Sequence, residues 1–361
     1  MAFARAGRQR RAQGERLARS RRFALLGDER VGEGLRRMAL GQLELAIDSL
    51  DGRDTSLSPQ ERVHEARKAL KRLRALLRLV KDEIGEQAYS RESAVVRSAG
   101  KRLSQARDAE VLLHTLDDLV ERQPKALGRR RGVQRLRARL AHECEGAAEL
   151  ALSESTAHPG LQDDLSAMRG RVAAWELAEP GGIEAIEPAL ERLYRSGRQR
   201  MRRAERAGGP GGRRLHEWRK RVKDLRYAAE MLQRKQEPAG KRLRDRVGAE
   251  PDKRERKRAK KAKAKFIAQA ARRADDLGEL LGQEHDLMVL AQRVRAEAKA
   301  TRASGAPGPG TRKALLKAIA KRRRRLRKRA LRDGARLYQR KPKSFVRRVR
   351  AAQTLALLSR R

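Results

Sequence analysis

The sequence predicts an all-α protein with an internal repeat, on three observations. Ala, Leu, Arg, Lys and Glu dominate the 361 residues, and no stretch alternates β-branched and polar residues between hairpin turns as a strand would. One phrase occurs twice, as HEARKALKRLR from His64 and as HEWRKRVKDLR from His216. An echo follows each copy, LSQARDAEVL from Leu103 and LGQEHDLMVL from Leu281, so that Asp108 falls on Asp286. Phrase and echo in the same order mark two repeats, over about 30–155 and about 160–355, and a chain of this length has room for about two domains.

Residues 1–29 lack the apolar core of a secretory signal. They are Arg-rich and acid-poor, as transit peptides are, and read as a basic arm without fixed structure. A first helix over about 30–50 ends in the turn-rich DGRDTSLS. Ser58 as N-cap, Pro59 at the first helical position and Glu61 reaching back form a capping box, so the helix carrying the first phrase starts at about 59. Helices at about 87–122 and 130–152 follow, and STAHPG and EPGG punctuate the passage to the second half. There the order recurs, with a helix near 184–207, the loop GGPGG and the second phrase. A Lys/Arg-rich insertion over about 247–265 then reads as a solvated loop or helix extension. SGAPGPG breaks the chain before a last, very basic helical region containing KRRRRLRKR.

At 100° per residue the first phrase puts His64, Arg67, Lys68, Lys71, Arg74 and Arg78 on one side of its helix, with Ala66, Leu70, Leu73, Leu77 and Val80 opposite. The second puts His216, Arg219, Lys220, Lys223 and Arg226 against Trp218, Val222, Leu225, Ala229 and Leu232, which makes Trp218 a core residue. A cationic row could be an ordinary wet face. Like charges at i,i+4 cost about 0.2–0.5 kcal/mol each, however, and a row without interleaved acids is a ladder suited to an extended chain of phosphates. A formal net charge of +45 points the same way, because so much like charge in a compact state calls for a polyanion beside it. Arginine outnumbers lysine, which favours phosphate, since the guanidinium fork grips two oxygens at once.

Other chemistries fit less well. Aromatic residues are 3% of the chain, few platforms for splayed-out bases. Cys144 is the single cysteine, so there is no internal disulfide and no Cys-rich zinc site, and a reducing cytoplasm suits the chain. No run is apolar for long enough to span a bilayer. Both phrases open with His-Glu as zinc proteases do, but Lys68 and Lys220 stand where the second histidine ligand belongs. His285-Asp286 resembles a metal dipeptide, yet its counterpart is Arg107-Asp108, so both read as ion pairs to a neighbouring helix. No metal, cofactor or catalytic residue is expected.

VHEARKALKRLRALLRL, LSQARDAEVLL, RRLHEWRKRVKDLRYAAEML and LGELLGQEHDLMVL together resemble the CHAD domains, the conserved histidine α-helical domains. The resemblance covers about residues 30–355. It implies two four-helix bundles packed with pseudo-two-fold symmetry around a basic central groove that binds inorganic polyphosphate, and an association with polyphosphate granules. Carried over by position, it implies phosphate contacts from the cationic residues of both phrases, and from Tyr194, Arg198 and Arg202 on the preceding helix. Some relatives add a triphosphatase domain marked by Glu-x-Glu-x-Lys, a run not found here, so binding without hydrolysis is expected. The insertion and the basic ends give the alternative, an RNA- or DNA-binding protein.

Overall fold

A computed structural model describes residues 15, 17–26, 29–51, 56–103, 105–145, 147, 150, 159–177, 183–206, 212–233, 251–299 and 307–358, with side chains left undescribed at 105–109, 251–264, 298–299 and 355–358. The described chain is all-α. Its helices are α1 (Val31–Asp51), α2 (Pro59–Leu79), α3 (Lys81–Arg102), α4 (Gln105–Glu121), α5 (Arg131–Cys144), α6 (Pro159–Ala173), α7 (Glu187–Arg206), α8 (Gly212–Met231), α9 (Pro251–Lys299), α10 (Pro309–Leu337) and α11 (Pro342–Leu358). The two phrases lie on α2 and α8.

The capping box forms as the sequence predicts. Ser58 Oγ accepts from the Glu61 N–H, and the Glu61 carboxylate accepts from the Ser58 N–H at 2.9 Å. The apolar positions opposite the cationic rows, from Ala66 to Val80 and from Trp218 to Leu232, are all buried. α2 packs between α1 and α3, α8 packs between α7 and α9, and α2 and α8 also touch each other. The buried side chains form one cluster from Phe23 to Ala352, so the two halves share a core. Gly334 on α10 lies against α8, where an added Cβ would be 2.5 Å from the Trp218 ring.

Four expectations need correction. The helix expected over 87–122 is two helices: α3 starts earlier, is kinked at Gly85 (φ +80°), and ends at Arg102 with Leu103 as its C-cap. The passage between the halves contains α6, whose Leu161, Leu165, Met168 and Val172 recur at helical spacing and are buried. The last basic region is two helices, because Pro342 opens α11. The expected basic arm is the fourth. Its first 14 residues lie outside the described ones, as does the start of the insertion, whose remainder continues α9 as helix. Phe23, Ala24, Leu25 and Leu26 are buried, however, and the Leu25 N–H donates to Met231 O at the end of α8 (2.9 Å). Arg37 secures this segment by donating to the carbonyls of Arg22 and Ala24 at 2.7 and 2.8 Å. Four consecutive apolar residues, FALL, had somewhere to be buried, and that outweighs the basic residues before them.

Candidate functional site

Two ion pairs fasten α2 to α8: Arg72 to Glu230 at 2.6 Å, and Arg78 to Asp224. Beside this junction, between α2, α4, α8 and α9, lies a cavity of about 660 Å³. α2 contributes Arg67, Lys71 and Arg74 to its lining, and α8 contributes His216, Arg219, Lys220 and Lys223. Cations from both copies of the phrase thus face one space. α9 adds Glu279, Gln283, His285 and Asp286, α4 adds Glu110, His114 and Asp118, and Arg322 reaches in from α10.

Seven lysines and arginines line the cavity against five carboxylates. Burial, and then the Arg219 guanidinium, hold Lys223 down to about 8. Burial lowers His216 too, with Lys220 and Arg219 adding to the effect, and the neighbouring His285 is held down to about 4 by burial and then by His216. The two imidazole rings lie 4.4 Å apart, tilted by 36°, and Nδ1 of each is buried without a hydrogen-bond partner among the described residues, as is Nε of Arg219. Arg74 is lowered by burial and by Arg78. These four basic groups shift in the same direction, so the folded protein resists protonating them; Tyr227, also in the lining, is raised by burial. Gly278 and Gly282, one turn apart on α9, face Lys223 and Arg219, where an added Cβ would make only ordinary contacts at 3.9 and 3.5 Å.

Seven of the expected site residues line this cavity: Arg67, Lys71, Arg74, His216, Arg219, Lys220 and Lys223. The others do not. His64 is exposed, at the start of α2 and outside the lining. Lys68 pairs with Glu65 at 3.0 Å, one turn back on α2, while Lys220 makes the equivalent pair with Glu217 at 2.8 Å. The glutamate of each His-Glu is therefore the partner of the lysine that replaces a metal ligand, and the rows are not free of acids. Arg78 is a strut to the buried Asp224. Arg226 pairs with Asp275 at 2.8 Å, away from the cavity. Tyr194 is fully buried, stacked on Phe345 and donating its hydroxyl to Leu337 O at 3.0 Å. Arg198 and Arg202, on the same helix, lie outside the lining as well.

A model of the CHAD domain family matches residues 41–249, more than half of the chain. The chain belongs to the CHAD domain family. No curated protein matches it. The family match stops where the insertion begins, so α9 of this CHAD domain, which carries His285, lies beyond it. His285 was visible in the echo LGQEHDLMVL but was read there as half of an ion pair. Burial and His216 hold that imidazole down to about 4, which disfavours the charged form an ion pair would need. Arg107 and Asp108 fall outside the described side chains. Among the described residues no three His, Cys, Asp or Glu gather to hold a metal, and no helix is long and apolar enough to cross a membrane.

Proposed function

We infer that this CHAD domain binds inorganic polyphosphate in the cavity between α2 and α8, that it does so without catalysis, and that the binding associates it with polyphosphate granules in the cytoplasm. The halves act as two repeats, each supplying one cationic wall. The observation that carries this reading is the convergence of Arg67, Lys71 and Arg74 with Arg219, Lys220 and Lys223 on one space. A bare phosphate chain can thread between walls on two sides, whereas sugars and bases widen a nucleic acid beyond what its phosphates alone would need. Two of the lining carboxylates, Asp118 and Asp224, are engaged by Arg122 and Arg78, which supports binding over metal-assisted hydrolysis.

Direct competition tests it. Labelled long-chain polyphosphate bound to the protein is displaced by RNA, DNA or ATP at equal phosphate concentration and at fixed salt. Polyphosphate is expected to win. Displacement by RNA at comparable phosphate concentration would hand the site to the nucleic-acid reading, and release of orthophosphate during incubation would make the protein an enzyme.

A further inference from the structure

We propose that the arginine row on α10 carries the continuation of the polyphosphate chain held in the central cavity, so that the protein selects for long chains. This rests on the reading above. KRRRRLRKR is the most basic run in the sequence, and polyphosphate binding between α2 and α8 leaves most of it unused. The structure gives it a surface of its own. Arg322, Arg325, Arg329, Arg332 and Arg336 follow one another at spacings of three and four along one face of α10, a ladder about 21 Å long at 1.5 Å per residue. Leu326, Ala330 and Leu337 are buried on the core side of the same helix.

The row is the wall of a second cavity, of about 790 Å³, between α9 and α10. The bland alternative is a solvated basic face, but a solvated face needs neither a concave shape nor continuity with another site. This one has both. Arg322, Gln283 and Glu279 line the second cavity and the first together, so one begins where the other ends. Arg322 also donates to Gln283 at 3.2 Å, which fixes a guanidinium at the junction. At the far side of the central cavity, Arg67, Lys71 and Arg74 are shared with a third space of about 350 Å³, which Arg97 and Lys101 complete without a carboxylate in its lining. The three spaces form one track across the molecule.

The carboxylates of the second cavity leave its guanidiniums in excess. Asp275 is engaged by Arg226 at 2.8 Å. Asp333 alone serves Arg329, Arg332 and Arg336, at 3.7, 3.2 and 3.8 Å. Those long, shared contacts are of the kind a phosphate oxygen can replace. No aromatic side chain lines the second cavity, so it offers bases nothing to stack on and suits a bare phosphate chain better than single-stranded nucleic acid.

Titration calorimetry with tripolyphosphate, medium-length and long-chain polyphosphate tests the track. For the intact chain, affinity per molecule should rise at each step in length. The triple variant Arg325→Gln, Arg329→Gln, Arg332→Gln should bind tripolyphosphate as the parent does and lose the second rise, leaving long-chain affinity lower by about tenfold or more. All three side chains are exposed, so the fold should survive; if melting shows otherwise, the Arg→Lys triple variant keeps the charge and should keep part of the length gain. Equal length dependence in parent and Gln variant would overturn the proposal and leave polyphosphate binding intact. Failure of the parent to bind any polyphosphate would remove the function on which it rests. Loss of RNA binding by the Gln variant with long-chain polyphosphate binding unchanged would make the row a nucleic-acid surface and also overturn it.

Discussion

α2 and α8 carry the same phrase, yet they present it differently. The clearest contrast is between Arg67 and Arg219, the fourth residues of the two copies. Arg67 donates to Leu103 O, a carbonyl left open where α3 ends. Arg219 lies instead beside Gly282 on α9. In the aligned echoes Leu103 matches Leu281 and Ser104 matches Gly282, so both arginines approach the same point of their repeats. In the first half the helix breaks there and the arginine caps it. In the second the helix runs on through Lys299 and the arginine has no carbonyl to cap. The histidines diverge for the same reason: unbroken α9 brings His285 against His216, while His64 remains exposed. A repeated sequence repeats a face; what the face meets depends on the helix opposite.

This difference predicts unequal walls. Arg219→Gln with Lys223→Gln removes two half-buried cations of the α8 wall and should weaken polyphosphate binding about 100-fold, at roughly 1.5 kcal/mol per lost charged contact. Lys71→Gln with Arg74→Gln should cost about tenfold. Melting temperature should hold or rise in both, because like-charge repulsion is relieved. Calorimetric titration alongside thermal melts checks the pair, and equal losses from the two walls would remove the asymmetry.

Arg78 separates structural from ligand-binding cations on α2. Arg78→Gln takes a charged partner from the buried Asp224 and should lower stability by about 1–3 kcal/mol, whereas Lys71→Gln, two turns away on the same side of α2, should not. Urea unfolding distinguishes them, and an Arg78 variant as stable as the parent would return that residue to the list of phosphate ligands.

A smaller effect belongs to the histidines. The folded chain holds His216 and His285 below the usual value near 6.5, so the unfolded chain binds more protons and the unliganded protein loses stability as pH falls from 6.5 towards 4. A polyanion pulls both values up, so binding takes up protons and affinity should rise a few-fold over the same descent. His216→Gln with His285→Gln should flatten that slope and His64→Gln should leave it unchanged, as measured by titrations in buffers of different ionisation enthalpy. A slope that follows His64 would reverse the assignment. Smallest of all should be Lys68→Gln, less than twofold in affinity in a filter-binding assay, because its charge is already spent on Glu65 at a half-buried i,i+3 pair outside the cavity.

Much of this was legible in the sequence, for identifiable reasons. Residues whose fate is decided within their own helix were read correctly: Ser58 and Glu61 cap α2, and Trp218 and Leu225 face the core because a helix must bury its apolar stripe. The repeated phrase led directly to the cavity walls. Helical spacing alone gave no way to choose among cations on one side of a helix, and Arg78 and Arg226 went to acids contributed by other helices, Asp224 and Asp275. Tyr194 sits beside arginines in the chain but beside Phe345 and Tyr338 in space. His285 required knowing that α9 is unbroken, which nothing local to the echo declares.

The docking of Leu25 onto Met231 bears on the order in which the protein can fold. The two residues lie more than half the chain apart, and the Phe23 ring completes its packing against Tyr227, which emerges from the ribosome only after the whole first repeat. Native pairings of such sequence separation form late, after the intervening loop has been closed, and they tend to slow folding. The first half must therefore wait with part of its apolar surface uncovered until α8 arrives. A fragment ending before Gly212 should be prone to associate with copies of itself, and one that begins at residue 30 would leave the end of α8 without its cover.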